Sequence, residues 1–370
     1  MDRNIIAVIP AYEPPHTFID YAKELVTGGV YKLVVVNDGS CSKYANVFES
    51  LKQIDNVIVL EYPENHGKGY ALKYAFSFIK ENFDANSVIV TADCDGQHLV
   101  KDVLACSENS ENYPQSLILG ARDFSLPQVP ARSRFGNVNT RRAFKLLCGL
   151  KLTDTQTGLR AFTYEMLDDM IAISGNRFEY EMNMLVVVHK SSYTIVEVPI
   201  ETVYEQKPDD VETRSHFKTF RDSVKVWGVL FKNVKNYFLA LLAAGIIEYS
   251  VFGLCEYVIF PHLHAALGTL YSTVIARVLS SILNCTLNYK LVFKGTSKTS
   301  IIKYYTLWLF LLGSSYGLTH LFGNVLGSGN AMIITKIIID LCLSVISYQA
   351  QTHWVFPHKT TKSKKIITKQ

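Results

Sequence analysis

The chain has 370 residues, seven scattered cysteines and a net charge of +4. So small a charge, with no basic stripe carrying interleaved aromatics, excludes a nucleic-acid binder. An odd cysteine count without a Cys-x-x-Cys pair excludes a disulfide framework and a zinc site, and suits a reducing compartment.

Composition divides the chain. Residues 1 to about 225 read as a soluble α/β domain, whereas 237–356 are strongly apolar. Met1-Asp2-Arg3-Asn4 leads straight into a strand over 5–10, so no signal peptide is expected. That strand runs into Pro10-Ala11-Tyr12-Glu13-Pro14-Pro15, and a helical pattern follows over 17–26. A second strand over 32–36 is tipped by Asn37-Asp38-Gly39-Ser40. A third over 57–61 precedes Asn65-His66-Gly67-Lys68-Gly69 and a helix over 70–83. The fourth, 87–92, ends abruptly in Asp93-Cys94-Asp95-Gly96-Gln97-His98. Strands alternating with helices predict βαβ units and a mostly parallel sheet, with ligands at the strands' carboxyl ends.

Each strand tip suits a task. Asp38, on the turn made by Gly39, can accept from a ribose hydroxyl or a base N–H. Gly67 and Gly69 let backbone approach a diphosphate, for which Lys68 offers a point charge. Asp93, Asp95 and Gln97 form an all-oxygen ligand set, which suits Mg²⁺ or Mn²⁺ carrying a phosphate ester. Singly, each tip is an ordinary turn; four in sequence on one sheet edge are not. Neither Gly-x-Gly-x-x-Gly after the first strand nor Gly-x-x-x-x-Gly-Lys-Ser/Thr occurs, so a dinucleotide fingerprint and a P-loop are unsupported.

These blocks continue with Gly120-Ala121-Arg122-Asp123, Arg134-Phe135-Gly136-Asn137, Asp154-Thr155-Gln156-Thr157-Gly158-Leu159-Arg160, Arg177-Phe178-Glu179-Tyr180-Glu181 and a strand over 198–203. In that order they resemble family-2 glycosyltransferases of the GT-A fold, and within them the dolichyl- or polyprenyl-phosphate hexose synthases. The resemblance spans roughly residues 4 to 216. It implies that Pro10, Tyr12, Asp38 and Asp93 serve the nucleotide, with Lys68 in the diphosphate-side loop. It implies Asp93, Asp95 and Gln97 for the metal, and Arg122 and Arg134 for the lipid phosphate. The family reads Pro-x-Tyr-Asn-Glu; here Glu13 stands one place early, a departure from the position that the family's ribose contact implies, and Glu13 is the nucleotide-side candidate.

Physics supports the arginines separately. A phosphomonoester carries about −1.5 to −2 charges at neutral pH, and guanidinium forks match it bidentately. Arg122, Arg132, Arg134, Arg141 and Arg142 crowd one stretch; for Arg132, Arg141 and Arg142 a solvated basic face is at least as good a reading. Because such an acceptor is already anionic, no strong general base is required. Asp154 is the best residue for a base or orienting carboxylate, or else it anchors the loop that follows it. Arg214 and Ser215, in a polar stretch over 207–217, match a family segment near the acceptor; a plain linker is the alternative.

The sequence over 217–236 mixes lysines and an arginine with apolar residues at helical spacing, as in an interfacial helix. Four apolar runs, 238–260, 267–289, 304–322 and 331–350, each have bilayer-spanning length. Loops 261–266 and 323–330 lack Lys and Arg, whereas 290–303 and the tail over 357–370 are lysine-rich. Positive-inside therefore places the catalytic domain, that loop and the tail in the cytosol of a multi-pass plasma-membrane protein. Asn288-Tyr289-x-x-Val292-Phe293 and Trp354-Val355-Phe356 resemble the GtrA-like four-helix module, associated with lipid-linked sugar transfer and proposed translocation. Glu248, Glu256, Arg277, Lys336 and Asp340 fall at or within the runs, as functional candidates or structural pairs.

The expectation is thus an α/β GT-A domain (1–216), an interfacial helix (217–236), an all-α domain of four transmembrane helices (237–356) and a basic tail. It would transfer a hexose, with inversion, from a nucleotide sugar to polyprenyl phosphate, with no nucleic-acid partner and self-association left open. The rival readings are transfer to a hydroxyl of a lipid-linked glycan, and a lipid-linked-sugar translocase with an accessory nucleotide domain.

Overall fold

The computed structural model describes residues 3–127, 129–201, 219–260, 265–293, 299–326 and 330–356. It falls into two compact units, one ending at Leu230 and the other spanning Phe231–Lys359.

In chain order the first unit runs β1 (Asn4–Ala11), α1 (Phe18–Thr27), β2 (Lys32–Asp38), α2 (Ala45–Lys52), β3 (Val57–Tyr62), α3 (Lys68–Asn82), β4 (Ser87–Thr91), α4 (Val100–Asn112) and β5 (Ser116–Ala121). It continues with α5 (Ala131–Cys148), β6 (Arg160–Thr163), α6 (Leu167–Ala172), α7 (Glu179–Lys190) and β7 (Thr194–Pro199). The seven strands pair in the order β3-β2-β1-β4-β6-β5-β7. β1, β2, β3 and β4 are mutually parallel, β5 is parallel to β7, and β6 alone runs antiparallel to both its neighbours. The expected mostly parallel sheet is present.

Helices cover both faces, which is why β1, β2 and β4 are near-continuous apolar runs rather than alternating ones. One core joins the sheet to α3, α5, α6 and α7 through Leu72, Phe76, Phe144, Met170, Tyr180 and Leu185. The other joins it to α1, α2 and α4 through Phe18, Leu25, Phe48, Leu51 and Val103. Phe76 meets Phe162 edge-on at 5.3 Å, and truncating so buried a ring would cost roughly 3–5 kcal/mol.

Two sequence expectations shift. The last strand is Thr194–Pro199, not 198–203: Glu197 interrupts the apolar pattern, yet it is buried in mid-strand because it ties a neighbouring turn. The stretch expected as a loop through Arg160 ends in β6, whose Arg160 is fully buried.

The second unit is helical. α8 (Thr219–Leu254), whose first residues up to Leu230 count with the first unit, is one uninterrupted helix, so the expected interfacial helix and first apolar run are continuous. α9 (Ala265–Leu287), α10 (Thr299–Leu326) and α11 (Asn330–Ala350) occupy the other three runs. Among the described residues one helix, Val234–Ile259, is long and apolar enough to cross a membrane by length and composition. α8, α9 and α11 each end in a single π-turn closed on a phenylalanine: Phe260 N–H donates to Cys255 O, Phe293 to Asn288 O and Phe356 to Gln351 O, at 2.9, 2.9 and 2.8 Å. Phe293 and Phe356 then stack at 5.1 Å. Arg277 pairs with Glu248 at 3.0 Å, and Ser280 Oγ donates to the same carboxylate. Asp340 accepts from Ser315 Oγ instead. The Lys336 side chain lies outside the described residues.

Candidate active site

The four parallel strands bring their carboxyl ends to one edge, and short contacts tie the tips together. Pro10, one residue before the end of β1, is in register with Val36. Beyond it the Glu13 N–H, on a residue with φ 51°, donates to Ser40 Oγ at 2.9 Å. Burial first, and then the neighbouring Glu13 carboxylate, pushes the Tyr12 phenol above its usual value. Asp38, at the end of β2, is buried, and its carboxylate faces protein donors on every side. Oδ1 accepts from Tyr62 OH (2.8 Å), His66 N–H (2.9 Å) and Gly67 N–H (3.1 Å); Oδ2 accepts from Asn65 Nδ2 (3.0 Å) and Gly67 N–H (3.0 Å). Gly67 has φ 101°, so the loop that Asp38 clamps turns where an L side chain would be strained. Asp38, expected to take a ribose hydroxyl or a base N–H, thus spends its lone pairs on the loop entering α3.

That loop delivers Lys68 to the tip of β4. Its ammonium lies 2.6 Å from Asp93 Oδ1 and 2.8 Å from Glu181 Oε1 on α7. Burial alone would lower the Lys68 pKa, but the two carboxylates more than offset it and hold the ammonium above its usual value. Asp93 is the mirror case: burial raises it, while Lys68 and His98 bring it well below the carboxylate range. His98 Nε2 sits 3.4 Å from Asp93 Oδ2, and its backbone carbonyl accepts from Tyr21 OH at 2.5 Å. Asp95 goes the other way, raised by burial and then by the Asp93 charge. The Cys94 thiol between them is pushed up to about 12 by burial, then by both aspartates, and is no nucleophile. The Gln97 N–H donates to Asp95 Oδ1 at 3.1 Å, closing the turn. Gly158 backs directly onto this centre; a Cβ there would fall 2.4 Å from Asp93 Oδ2. Two carboxylates crowded in this way, one raised by the other's charge, fit a hard divalent cation, with the Gln97 amide within the same turn. Among the described residues no group of three or more His, Cys, Asp or Glu side chains is arranged to hold a metal.

A second centre lies at the end of β5. Arg122 Nε donates to Asp154 Oδ2 at 2.7 Å and Nη2 to Oδ1 at 3.3 Å. Asp154 is fully buried and also accepts from Gln156 N–H at 2.9 Å. Glu197, buried on β7, accepts from Thr153 N–H and Thr153 Oγ1, both at 2.7 Å, and from Asp154 N–H at 3.2 Å. The Arg122 guanidinium also lies over the Phe124 ring at 5.1 Å. Arg134, in the first turn of α5, donates through Nη2 to Leu126 O at 2.7 Å, while its buried Nε meets no hydrogen-bond partner among the described residues. Arg141 is spent on Leu152 O (3.0 Å) and Arg142 is exposed, as a structural or surface reading requires. The Arg132 side chain, Arg214 and Ser215 lie outside the described residues.

The two centres are neighbours through one loop. Thr91, at the end of β4, donates to Gly158 O at 2.7 Å, four residues along from Asp154. With this arrangement in view, the glycosyl transferase family 2 model matches residues 7–171. An uncharacterized protein of Methanocaldococcus jannaschii is 30% identical over 211 residues, covering 55% of this chain and 83% of its own. The chain belongs to glycosyl transferase family 2. A relative of this glycosyltransferase from Methanococcus voltae, a UDP-N-acetylglucosamine–dolichyl-phosphate N-acetylglucosaminyltransferase, is 26% identical over 55% of this chain and 88% of its own. A dolichyl-phosphate β-glucosyltransferase of Trichomonas vaginalis is 24% identical over 46% and 54%.

Sequence reasoning left three residues of the glycosyltransferase site without a role. Glu181 closes the Arg177-Phe178-Glu179-Tyr180-Glu181 motif, which carries the resemblance but assigns it no task. Arg160 passed as a loop residue, yet it donates through Nη1 to Glu181 O at 2.6 Å and through Nε to Thr157 O at 3.1 Å. Glu197 was legible as a charge inside a β-branched run, a signal that a strand is burying a carboxylate for a purpose.

Proposed function

We propose that this glycosyltransferase moves a hexose from a nucleotide sugar to a polyprenyl phosphate at the cytosolic membrane face, with inversion at C1. The observation that carries this reading is the adjacency of an acidic strand tip (Asp93, Asp95) and the Arg122–Asp154 pair across the loop from Asp154 to Gly158. One side suits the leaving nucleoside diphosphate and the other an anionic acceptor. Asp93, Asp95 and Gln97 would hold Mg²⁺ or Mn²⁺, which when bound neutralises charge on the leaving diphosphate. Pro10, Tyr12 and Glu13 line the nucleotide's entry. Arg122 and the spare Nε of Arg134 orient the acceptor phosphate. An acceptor oxygen forms the new bond to C1 as the bond from C1 to the diphosphate oxygen breaks. With a second pKa of about 6 the acceptor needs no protein base, in keeping with an Asp154 occupied by Arg122 and Gln156. That occupancy counts against a glycan hydroxyl as acceptor.

The helical unit is proposed to be the GtrA-like membrane module of a multi-pass plasma-membrane protein, with α8, α9, α10 and α11 as four spans. The apolar side chains it exposes, among them Leu242, Val258, Ile302 and Phe310, and the π-turn ends shared by α9 and α11 support the proposal. Turnover of the full chain in detergent with polyprenyl phosphate, Mn²⁺ and a panel of nucleotide sugars tests the reaction. One donor is expected to give a charged lipid product labile to mild acid, lost in Asp95→Ala. No product from any donor, despite metal-dependent nucleotide binding, would move the acceptor to a glycan.

A further inference from the structure

We infer that Glu181 is a positioning residue of the transfer site: it shares the Lys68 ammonium with Asp93 and so sets how readily Asp93 turns from the lysine to a divalent cation. The inference rests on the metal-dependent reading above.

Lys68 opens α3 and Glu181 lies in the first turn of α7, and the two helix starts are jammed together. A Cβ on Gly67 would fall 2.5 Å from Arg177 Cγ, and one on Gly69 would fall 2.4 Å from Tyr180 Cβ. The Tyr70 N–H donates to Asn176 O at 2.9 Å. From behind, the buried Arg160 guanidinium holds the Glu181 carbonyl at 2.6 Å. The Glu181 carboxylate is itself buried, so its place beside Lys68 is set by packing rather than chosen by a mobile side chain.

Charge gives this arrangement its consequence. Asp93, Asp95 and Glu181 carry three negative charges against the two positive charges of Lys68 and the buried Arg160, which leaves a net negative centre that draws a cation. As a cation takes up Asp93, Lys68 retains Glu181 as partner and is not left as a buried unpaired charge, which is costly. With Glu181 neutral, Lys68 has Asp93 alone, and the cation must displace it against a smaller net charge.

The test is Mn²⁺ binding to the full chain in detergent, with UDP or GDP present, followed through the electron-paramagnetic signal of free Mn²⁺. Glu181→Gln should weaken Mn²⁺ binding by about tenfold, the scale of a coupling between members of one salt-bridge network. Glu181→Asp, with the charge kept, should fall between that variant and the wild type. In a Lys68→Met background, where no lysine competes for Asp93, Glu181→Gln should change binding by much less. An equal shift in both backgrounds, or no shift in either, would overturn the inference while leaving the metal reading intact. Failure of the wild-type chain to bind Mn²⁺ with either nucleotide would remove the metal reading and the inference with it.

Discussion

The two aspartate centres of this glycosyltransferase stand at the same sheet edge, and each faces a cation, yet they are built for opposite ends. Asp93 meets a lysine that a second carboxylate also holds, beside an Asp95 whose pKa is raised. Asp154 meets an arginine fork and a backbone N–H and has no solvent exposure. The first centre can exchange partners because its cation is a point charge with an alternative anion. The second is locked, because a bidentate guanidinium loses both hydrogen bonds if the carboxylate turns away. The difference teaches that burial of an acidic residue at a strand tip does not by itself mark a catalytic base; the partners decide whether it can change state.

Three substitutions would break or sharpen this contrast. The largest effect is expected from Asp154→Asn, which leaves Arg122 facing a neutral amide. Breaking one side of a buried pair should cost about 3–5 kcal/mol of stability in thermal or chemical unfolding, with a raised KM for the lipid phosphate. A fall in kcat at unchanged stability would instead make Asp154 a base and restore the glycan-acceptor reading. Next comes Gly158→Ala, whose Cβ would press on Asp93 at 2.4 Å. Overpacking there should cost about 1–3 kcal/mol, and the displaced carboxylate should weaken metal-dependent nucleotide binding in calorimetry; unchanged binding would show that Asp93 moves freely. The smallest effect belongs to Tyr62→Phe, which removes one of the donors to Asp38 and should cost about 0.5–1.5 kcal/mol. A large loss of nucleotide affinity from that change would show that Asp38 acts on the ligand rather than on the loop.

Much of the first unit was legible in the sequence. The first four strands lie within two residues of where the apolar runs place them, and the four tips converge as the βαβ alternation requires. Asp93, Asp95, Arg122 and Arg134 stood out because local patterns expose them: a carboxylate pair closing a strand, and an arginine cluster. The contacts of Asp38 were not legible for a physical reason, since an Asn-Asp-Gly turn shows that a carboxylate is presented but not which donors will fold back onto it. The antiparallel β6 was missed because four residues with a buried arginine carry no period. In the helical unit the four apolar runs marked the helices, but not that the first continues unbroken from the basic segment before it.

What the sequence determined alone are properties written within a few residues: strand and helix periods, turn glycines, and the acidic tip of β4. These depend on backbone preference and local side-chain alternation, which need no distant partner. Tertiary structure decided the pairings, Lys68 with Glu181, Arg122 with Asp154, Arg160 with the Glu181 carbonyl and Glu197 with the Thr153 turn. Every such pair joins residues far apart in the chain. Which anion a buried cation meets depends on how two helix starts and two strand ends pack, and no local pattern carries that information.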